Sequence, residues 1–242
     1  TTGSRNIGIG NGAIDGFETE SDNSGIGYDA LGGAVAGGEK NVGIGNYAGD
    51  AVTSADGSVM VGHQSGTAVS TGGLNTLVGY QSGKQISTGI GNTMLGYTAG
   101  SMGNHQYSIG IGYGALQNAD NTGDHNIAIG SWAMQNGAMT GDYNVGVGYK
   151  AGYNLAAAAH KNITIGHQSG DNITTGDFNV IIGGGDAASA TGDSQLLISS
   201  GDGGVSWITG DSTGGIYSKA GVVAVTGNTT LTQAQSGAYV YW

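Results

Sequence analysis

The chain has 242 residues, of which 52 are glycine, none is proline or cysteine, and only 10% are charged. Its net charge of −11, with six basic residues in all, excludes a phosphate-neutralising surface, so neither nucleic acid nor an anionic membrane is an expected partner. Collagen would need glycine at every third residue with abundant proline, and disorder would need fewer aliphatic residues in register. No apolar run approaches the ~20 residues that span a bilayer, so membrane insertion is not expected.

The chain begins at Thr1 without a signal peptide, and Asn6 already belongs to a repeat, so the sequence reads as a piece of something longer. The unit is Asn-φ-x-φ-Gly followed by Tyr/His-x-Ala/Ser-Gly/Leu, with φ aliphatic. Its first position falls at Asn6, Asn23, Asn41, Ser58, Asn75, Asn92, Ser108, Asn126, Asn144, Asn162 and Asn179. The glycine four residues later falls at Gly10, Gly27, Gly45, Gly62, Gly79, Gly96, Gly112, Gly130, Gly148, Gly166 and Gly183. Eleven copies at spacings of 16 to 18 residues are the mark of a solenoid.

Within most units the aliphatics sit two apart, as in Ile7/Ile9, Val42/Ile44, Ile127/Ile129 and Val145/Val147. That spacing predicts a short strand with this pair on the buried face and the small residue between them on the other. Strands of ~4–5 residues between glycine-rich turns predict a parallel β-solenoid whose coils stack ~4.8 Å apart, a rod of roughly 50 Å. The recurring Asn is expected to form an amide ladder, and the glycine at the fifth position a corner with positive φ. Thr122-Gly123-Asp124, Thr140-Gly141-Asp142, Thr175-Gly176-Asp177 and Thr191-Gly192-Asp193 read as turns. Leu155–His160 is the most apolar loop, and Gly16–Asp22 the most acidic.

The array is assigned to residues 1–187. Residues 188–242 are expected to be a non-repeat β element, with strands at Gln195–Ser199, Val205–Thr209 and Gly221–Val225, ending on the apolar Tyr239-Val240-Tyr241-Trp242. Two inward aliphatics per coil would stabilise by only ~3–6 kcal/mol, far less than the cost of ordering the coil. Association of several chains is therefore expected.

The repeat resembles the head repeats of trimeric autotransporter adhesins, and with its Thr-Gly-Asp-x-Asn turns it is still more similar to repeat regions in tail fibres of tailed phages, cyanophages included. Gln195-Leu196-Leu197-Ile198-Ser199 and Trp207-Ile208-Thr209-Gly210-Asp211 resemble the segment that follows such repeats. The resemblance implies a β-roll in a tight, intertwined homotrimer, and a structural, host-attaching fibre segment located in a virion or at a cell surface. The alternatives are the head of a bacterial trimeric surface adhesin and a monomeric solenoid such as an ice-binding protein. The last would want a Thr-x-Thr ladder that the repeat lacks.

Candidate sites are few. A ring often follows the fifth-position glycine: Tyr28, His63, Tyr80, Tyr97, Tyr113, Tyr149 and His167, with Tyr47 and Trp132 one place later. Such a line of rings can pack against other subunits or hold sugar faces. Trp132 and Tyr143 fit the repeat less regularly and are the candidate ligand-binding residues, for host cell-surface carbohydrate. His63 and His167 share a His-Gln-Ser-Gly context far apart in the chain, and metal ligands must converge. The turn aspartates lack the nine-residue motif of calcium-binding β-helices. No metal, cofactor or catalytic constellation is expected, and the chain is read as non-enzymatic.

Overall fold

The computed structural model describes residues 3–16, 19–33, 37–117, 122–136, 139–156 and 158–218, with the backbone of 232–234 and 237–239. It is all-β, a β-solenoid of about eleven turns. Eleven three-residue strands stack in chain order: β1 (Ile7–Ile9), β2 (Ser24–Ile26), β3 (Val42–Ile44), β4 (Val59–Val61), β5 (Thr76–Val78), β6 (Thr93–Leu95), β7 (Ile109–Ile111), β8 (Ile127–Ile129), β9 (Val145–Val147), β10 (Ile163–Ile165) and β11 (Val180–Ile182). Each pairs in parallel with the next, and equivalent positions face one another, as with Ile127↔Val145 and Ile129↔Val147.

The parallel stacking continues one rung beyond residue 187. β12 (Leu196–Ser199) joins β11 in register, Val180↔Leu196, before the chain turns back on itself. β13 (Ser206–Gly210) and β14 (Ile216–Ser218) then pair antiparallel and end the sheet. β15 (Thr232–Ala234) and β16 (Gly237–Tyr239) form a separate antiparallel pair. The strand expected at Gly221–Val225 and the terminal Tyr241-Trp242 lie outside the described residues.

Backbone hydrogen bonds between coils continue through the corners, as in Gly27 N–H to Ile9 O at 2.8 Å and Tyr47 N–H to Tyr28 O at 2.8 Å. A proline would remove one such donor, which accounts physically for its absence. The corner glycines from Gly10 to Gly183 have φ of 111–140°, a region open essentially to glycine alone. A Cβ on any of them would also overlap the backbone of the coil above. Most coils have three more left-handed positions, filled by glycine or by an ordinary side chain: Gly91 or Tyr143 (φ 69° and 62°) before the Asn, Gly114 or Lys150 (φ 61° and 54°), and Gly49, Leu31 or Met134 further on (φ 63°, 52° and 49°).

The Asn column is a two-way clamp. Asn144 Oδ1 accepts the backbone N–H of Asn162 at 3.0 Å, and Asn144 Nδ2 donates to Ala159 O, also in the next coil, at 2.7 Å. The same pair of bonds recurs at Asn23, Asn75, Asn126 and Asn162 with small changes, and Gln195 takes the N–H role above Asn179. Ser58 and Ser108 keep the acceptor, taking the N–H of Asn75 and Asn126 at 3.2 Å, and Ser108 Oγ donates not to the next coil but back to Gln106 O at 3.0 Å. All these side chains from Asn23 to Asn179 are buried, so each lost bond would strand a polar backbone group.

The inside and outside of the strands are reversed from the sequence expectation. The residue between the aliphatics points inward and is buried: Gly25, Gly43, Met60, Leu77, Met94, Gly110, Ala128, Gly146, Thr164, Ile181. Ile127 and Ile129 point outward, half-buried and exposed respectively. The reason is the width of the coil: its interior also takes an Ala or Ser after the corner and a loop aliphatic, among them Val52, Val69, Ile86, Met139, Leu155 and Ile173. One inward side chain per strand completes the filling, from Gly43 to Met60 in size; two aliphatics from one strand would not fit. In the shortest coil Met102 is exposed instead, and the buried side chain is His105. Neither ring nitrogen of His105 makes a well-formed hydrogen bond, although the Leu116 and Gly123 carbonyls lie near the ring.

Candidate functional site

The regular coil turns the sequence into surface columns. The longest column of rings runs Tyr28–Tyr47–His63–Tyr80–Tyr97–Tyr113–Trp132–Tyr149–His167, each ring touching the next at 5.0–6.2 Å between centroids. From His63 to Tyr113 the planes lie within 10° of each other. These rings cover one another's faces and leave edges and hydroxyls to solvent. Tyr47 and Trp132 start one residue later and break the stack: Tyr47 stands at 73° and 81° to its neighbours, Trp132 at 80° to Tyr113 and 55° to Tyr149. Their faces are turned away from the column axis.

Trp132 therefore belongs to a regular column, contrary to the sequence expectation, and is distinguished by its orientation. Lys150 Nζ lies 5.4 Å from its ring centre, 5.6 Å from that of Tyr149 and 4.8 Å from that of Tyr153. An ammonium among three rings is held by their quadrupoles.

Tyr143 is also a rung, of a second column at the left-handed position before each Asn. Tyr107, His125 and Tyr143 stack at 5.2 and 4.9 Å, and further on Lys161 Nζ lies 5.1 Å from the centre of Phe178. In the first coils this position carries the Arg5–Asp22 ion pair, with Nη2 to Oδ2 at 2.8 Å, and that hydrogen bond lowers the Asp22 pKa and raises that of Arg5. Among the described residues no ring contact joins Trp132 to Tyr143. The signal that would have revealed this column in the sequence was the residue preceding each Asn.

One residue earlier runs a third column. Asp124 accepts the Gln106 N–H at 3.0 Å, Asp142 that of Asp124 at 2.8 Å, Asp177 that of His160 at 2.6 Å and Asp193 that of Asp177 at 2.8 Å. His160 Nδ1 takes the Asp142 N–H at 2.9 Å in the same way. The turn aspartates thus cap backbone donors of the coil before. Asp124 is raised above the usual carboxylate range, first by burial and then by the neighbouring Asp142, with the Gln106 N–H opposing. Among the described residues no three His, Cys, Asp or Glu side chains converge as a metal site would require.

A cavity of about 180 Å³ lies where the solenoid meets β13, walled by Ile181, Leu196 and Leu197 with Asp186 at its side. Burial, and then the neighbouring Asp171 carboxyl, raise the Asp186 pKa.

Along the strands, the outward fourth position is aliphatic on every rung: Ile9, Ile26, Ile44, Val61, Val78, Leu95, Ile111, Ile129, Val147, Ile165, Ile182 and Ile198. All are partly or largely exposed, up to 59% at Ile9. No family model, no curated protein and no solved structure matches this chain.

Proposed function

We propose that this chain is a structural and receptor-binding segment of a tailed-phage fibre, non-enzymatic, assembled as a parallel homotrimer. The observation that carries the reading is the unbroken aliphatic column on the outer face of the strands. A contiguous apolar stripe this long marks an interaction surface. Its occupant is two further copies of the same chain, because only a partner with the same coil spacing matches an apolar rung at every step along the axis. Burying a half-exposed Ile or Val stabilises by about 1 kcal/mol, so twelve rungs contribute roughly 10 kcal/mol per chain before the cost of association. The head of a bacterial trimeric surface adhesin is the same assembly on a different anchor.

The ring columns lie around the glycine corner from this stripe and are left for recognition, with host cell-surface carbohydrate as the partner and the fibre's place in a virion or at a cell surface. Sedimentation at micromolar concentration tests the assembly. Three times the chain mass of 23.8 kDa is expected, and a single-chain mass overturns the reading.

A further inference from the structure

Tyr80, Tyr97 and Tyr113 follow the corner glycines Gly79, Gly96 and Gly112 of three successive coils, so their backbones are one coil spacing apart, ~4.8 Å. Their ring centroids are 5.0 Å apart in both steps, with planes within 10° and 6°. All three are exposed, at 41%, 47% and 50%. The other tyrosines of the ring columns differ: Tyr28 and Tyr47 meet edge to face at 73°, Tyr107 and Tyr143 are separated by His125, and Tyr113 and Tyr149 by Trp132. The chain has no cysteine, so no disulfide can tie one coil to another.

We propose that Tyr80, Tyr97 and Tyr113 form a cross-linking site at which a one-electron oxidant, hydrogen peroxide acting through a haem peroxidase, joins successive coils of one chain by dityrosine. Two phenols each give up one electron and the hydroxyl proton, and the peroxide O–O bond is cleaved to yield two waters. The resulting phenoxyl radicals carry spin on the carbons ortho to oxygen, where one C–C bond forms. The two hydrogens displaced from those carbons end on the phenolic oxygens as both rings regain aromaticity. The net change is one aryl–aryl bond for two lost hydrogens. The protein's part is to hold the two rings together in register, which makes coupling within the chain faster than coupling between chains. Tyr97 has a partner on either side, and its exposed tip leaves the ring free to turn.

The test treats the full chain at low micromolar concentration with peroxidase and limiting peroxide, and reads the blue fluorescence of dityrosine. Tyr97→Phe keeps the stacked ring but removes the shared phenol, and is expected to lose most of the signal. Tryptic cleavage after Lys40, Lys84 and Lys150 places Tyr80 in peptide 41–84 and Tyr97 with Tyr113 in 85–150. A joined 41–84/85–150 peptide, two hydrogens lighter than its parts and absent from Tyr97→Phe, is expected. With mixed ¹⁵N-labelled and unlabelled chains, purified separately and assembled together, the joined peptide is expected to be uniformly labelled or unlabelled. Half-labelled products, undiminished fluorescence in Tyr97→Phe, or no dityrosine at all would each overturn the proposal.

Discussion

Leu31 of one coil fills the space that a side chain on Gly43 of the next would need: a Cβ on Gly43 would lie 2.7 Å from the Leu31 Cγ. The relation repeats with the sizes exchanged. Ile14 is set against Gly25 and Met134 against Gly146, while Gly49 makes room for Met60, Gly66 for Leu77 and Gly170 for Ile181. Where both partners are glycine, at Gly100 and Gly110, Met94 fills the gap: its sulfur would be 2.6 and 2.8 Å from a Cβ on each. The interior volume is therefore conserved between coils although neither position is.

Exchanging one pair tests this. Gly43→Met alone overpacks the coil and should cost about 1–3 kcal/mol. Leu31→Gly alone removes a buried Leu and should cost about 2–5 kcal/mol, eased by a φ of 52° that glycine prefers. The double variant copies the Gly49/Met60 arrangement and is expected to cost less than the sum by about 2 kcal/mol. Denaturant unfolding of the four proteins checks it; simple additivity would mean that the two positions do not share one space.

The outward column gives a prediction that separates folding from assembly. Met60 is wholly buried within the coil, whereas Ile129 is 38% exposed on its outside. Met60→Ala should lower stability by about 2–5 kcal/mol per chain. Ile129→Ser should leave the far-ultraviolet spectrum of the assembled protein unchanged and raise the concentration at which it dissociates. Each chain carries −11 charges, so added salt should favour assembly in both. Equal, concentration-independent losses from the two substitutions would return the aliphatic pair to the interior.

His105 sets an acid limit. Burial lowers its pKa from 6.5 to about 4, and the Leu116 and Gly123 carbonyls, which favour the protonated ring, are too weak to offset it. The unfolded chain binds the proton near pH 6.5 and the folded one only near pH 4, so between these values the unfolded state holds more protons and stability falls as pH falls. The full contribution, about 3 kcal/mol, is present above pH 6.5 and gone below pH 4. Asp50, Asp124 and Asp186 have raised pKa values, led in each case by burial, and slope the opposite way just above the carboxylate range. Unfolding midpoints at pH 7 and pH 5 should therefore differ markedly in the parent and little in His105→Leu. The same drop in both would put the acid sensitivity elsewhere.

The sequence revealed the coil through residues whose role is fixed by the backbone. Asn144 clamps two groups of the next coil whatever else changes, and Gly148 at φ 135° admits no substitute, so both recur and are readable. Which face of β8 is buried was not readable from Ile127-Ala128-Ile129, because alternation gives a period and not a direction. The deciding fact is the narrow coil interior, known only once Val52, Ile86 and Ile173 are seen to enter it from loops. The exchange of size between Leu31 and Gly43 spans two coils and is hidden from any single repeat. Tyr143 and Trp132 looked irregular because the first precedes the repeat motif and the second is displaced by one residue. Stacking of whole coils turned both into rungs.

That displacement also singles out a ring for the proposed carbohydrate partner. Carbohydrate stacks on the face of an aromatic ring, and Tyr80, Tyr97 and Tyr113 have spent their faces on one another. Trp132 stands across the column, with the Lys150 ammonium over its ring to meet a polar substituent. Tyr143 ends its own stack, with His125 on one side and no ring on the other among the described residues. The intact assembly is therefore expected to lose binding to cells or to a glycan array on Trp132→Ala, and further on adding Tyr143→Ala, while Tyr97→Phe binds as the parent does. Contacts of this kind are weak singly, but in the proposed assembly three copies in one fibre and several fibres on one particle would raise avidity by ~10²–10⁴, so a modest loss per site should read out as a large loss in whole-cell binding. Parent-level binding by a folded Trp132→Ala/Tyr143→Ala variant would remove these rings as the site. An intact assembly that binds neither cells nor glycans would make this segment shaft alone.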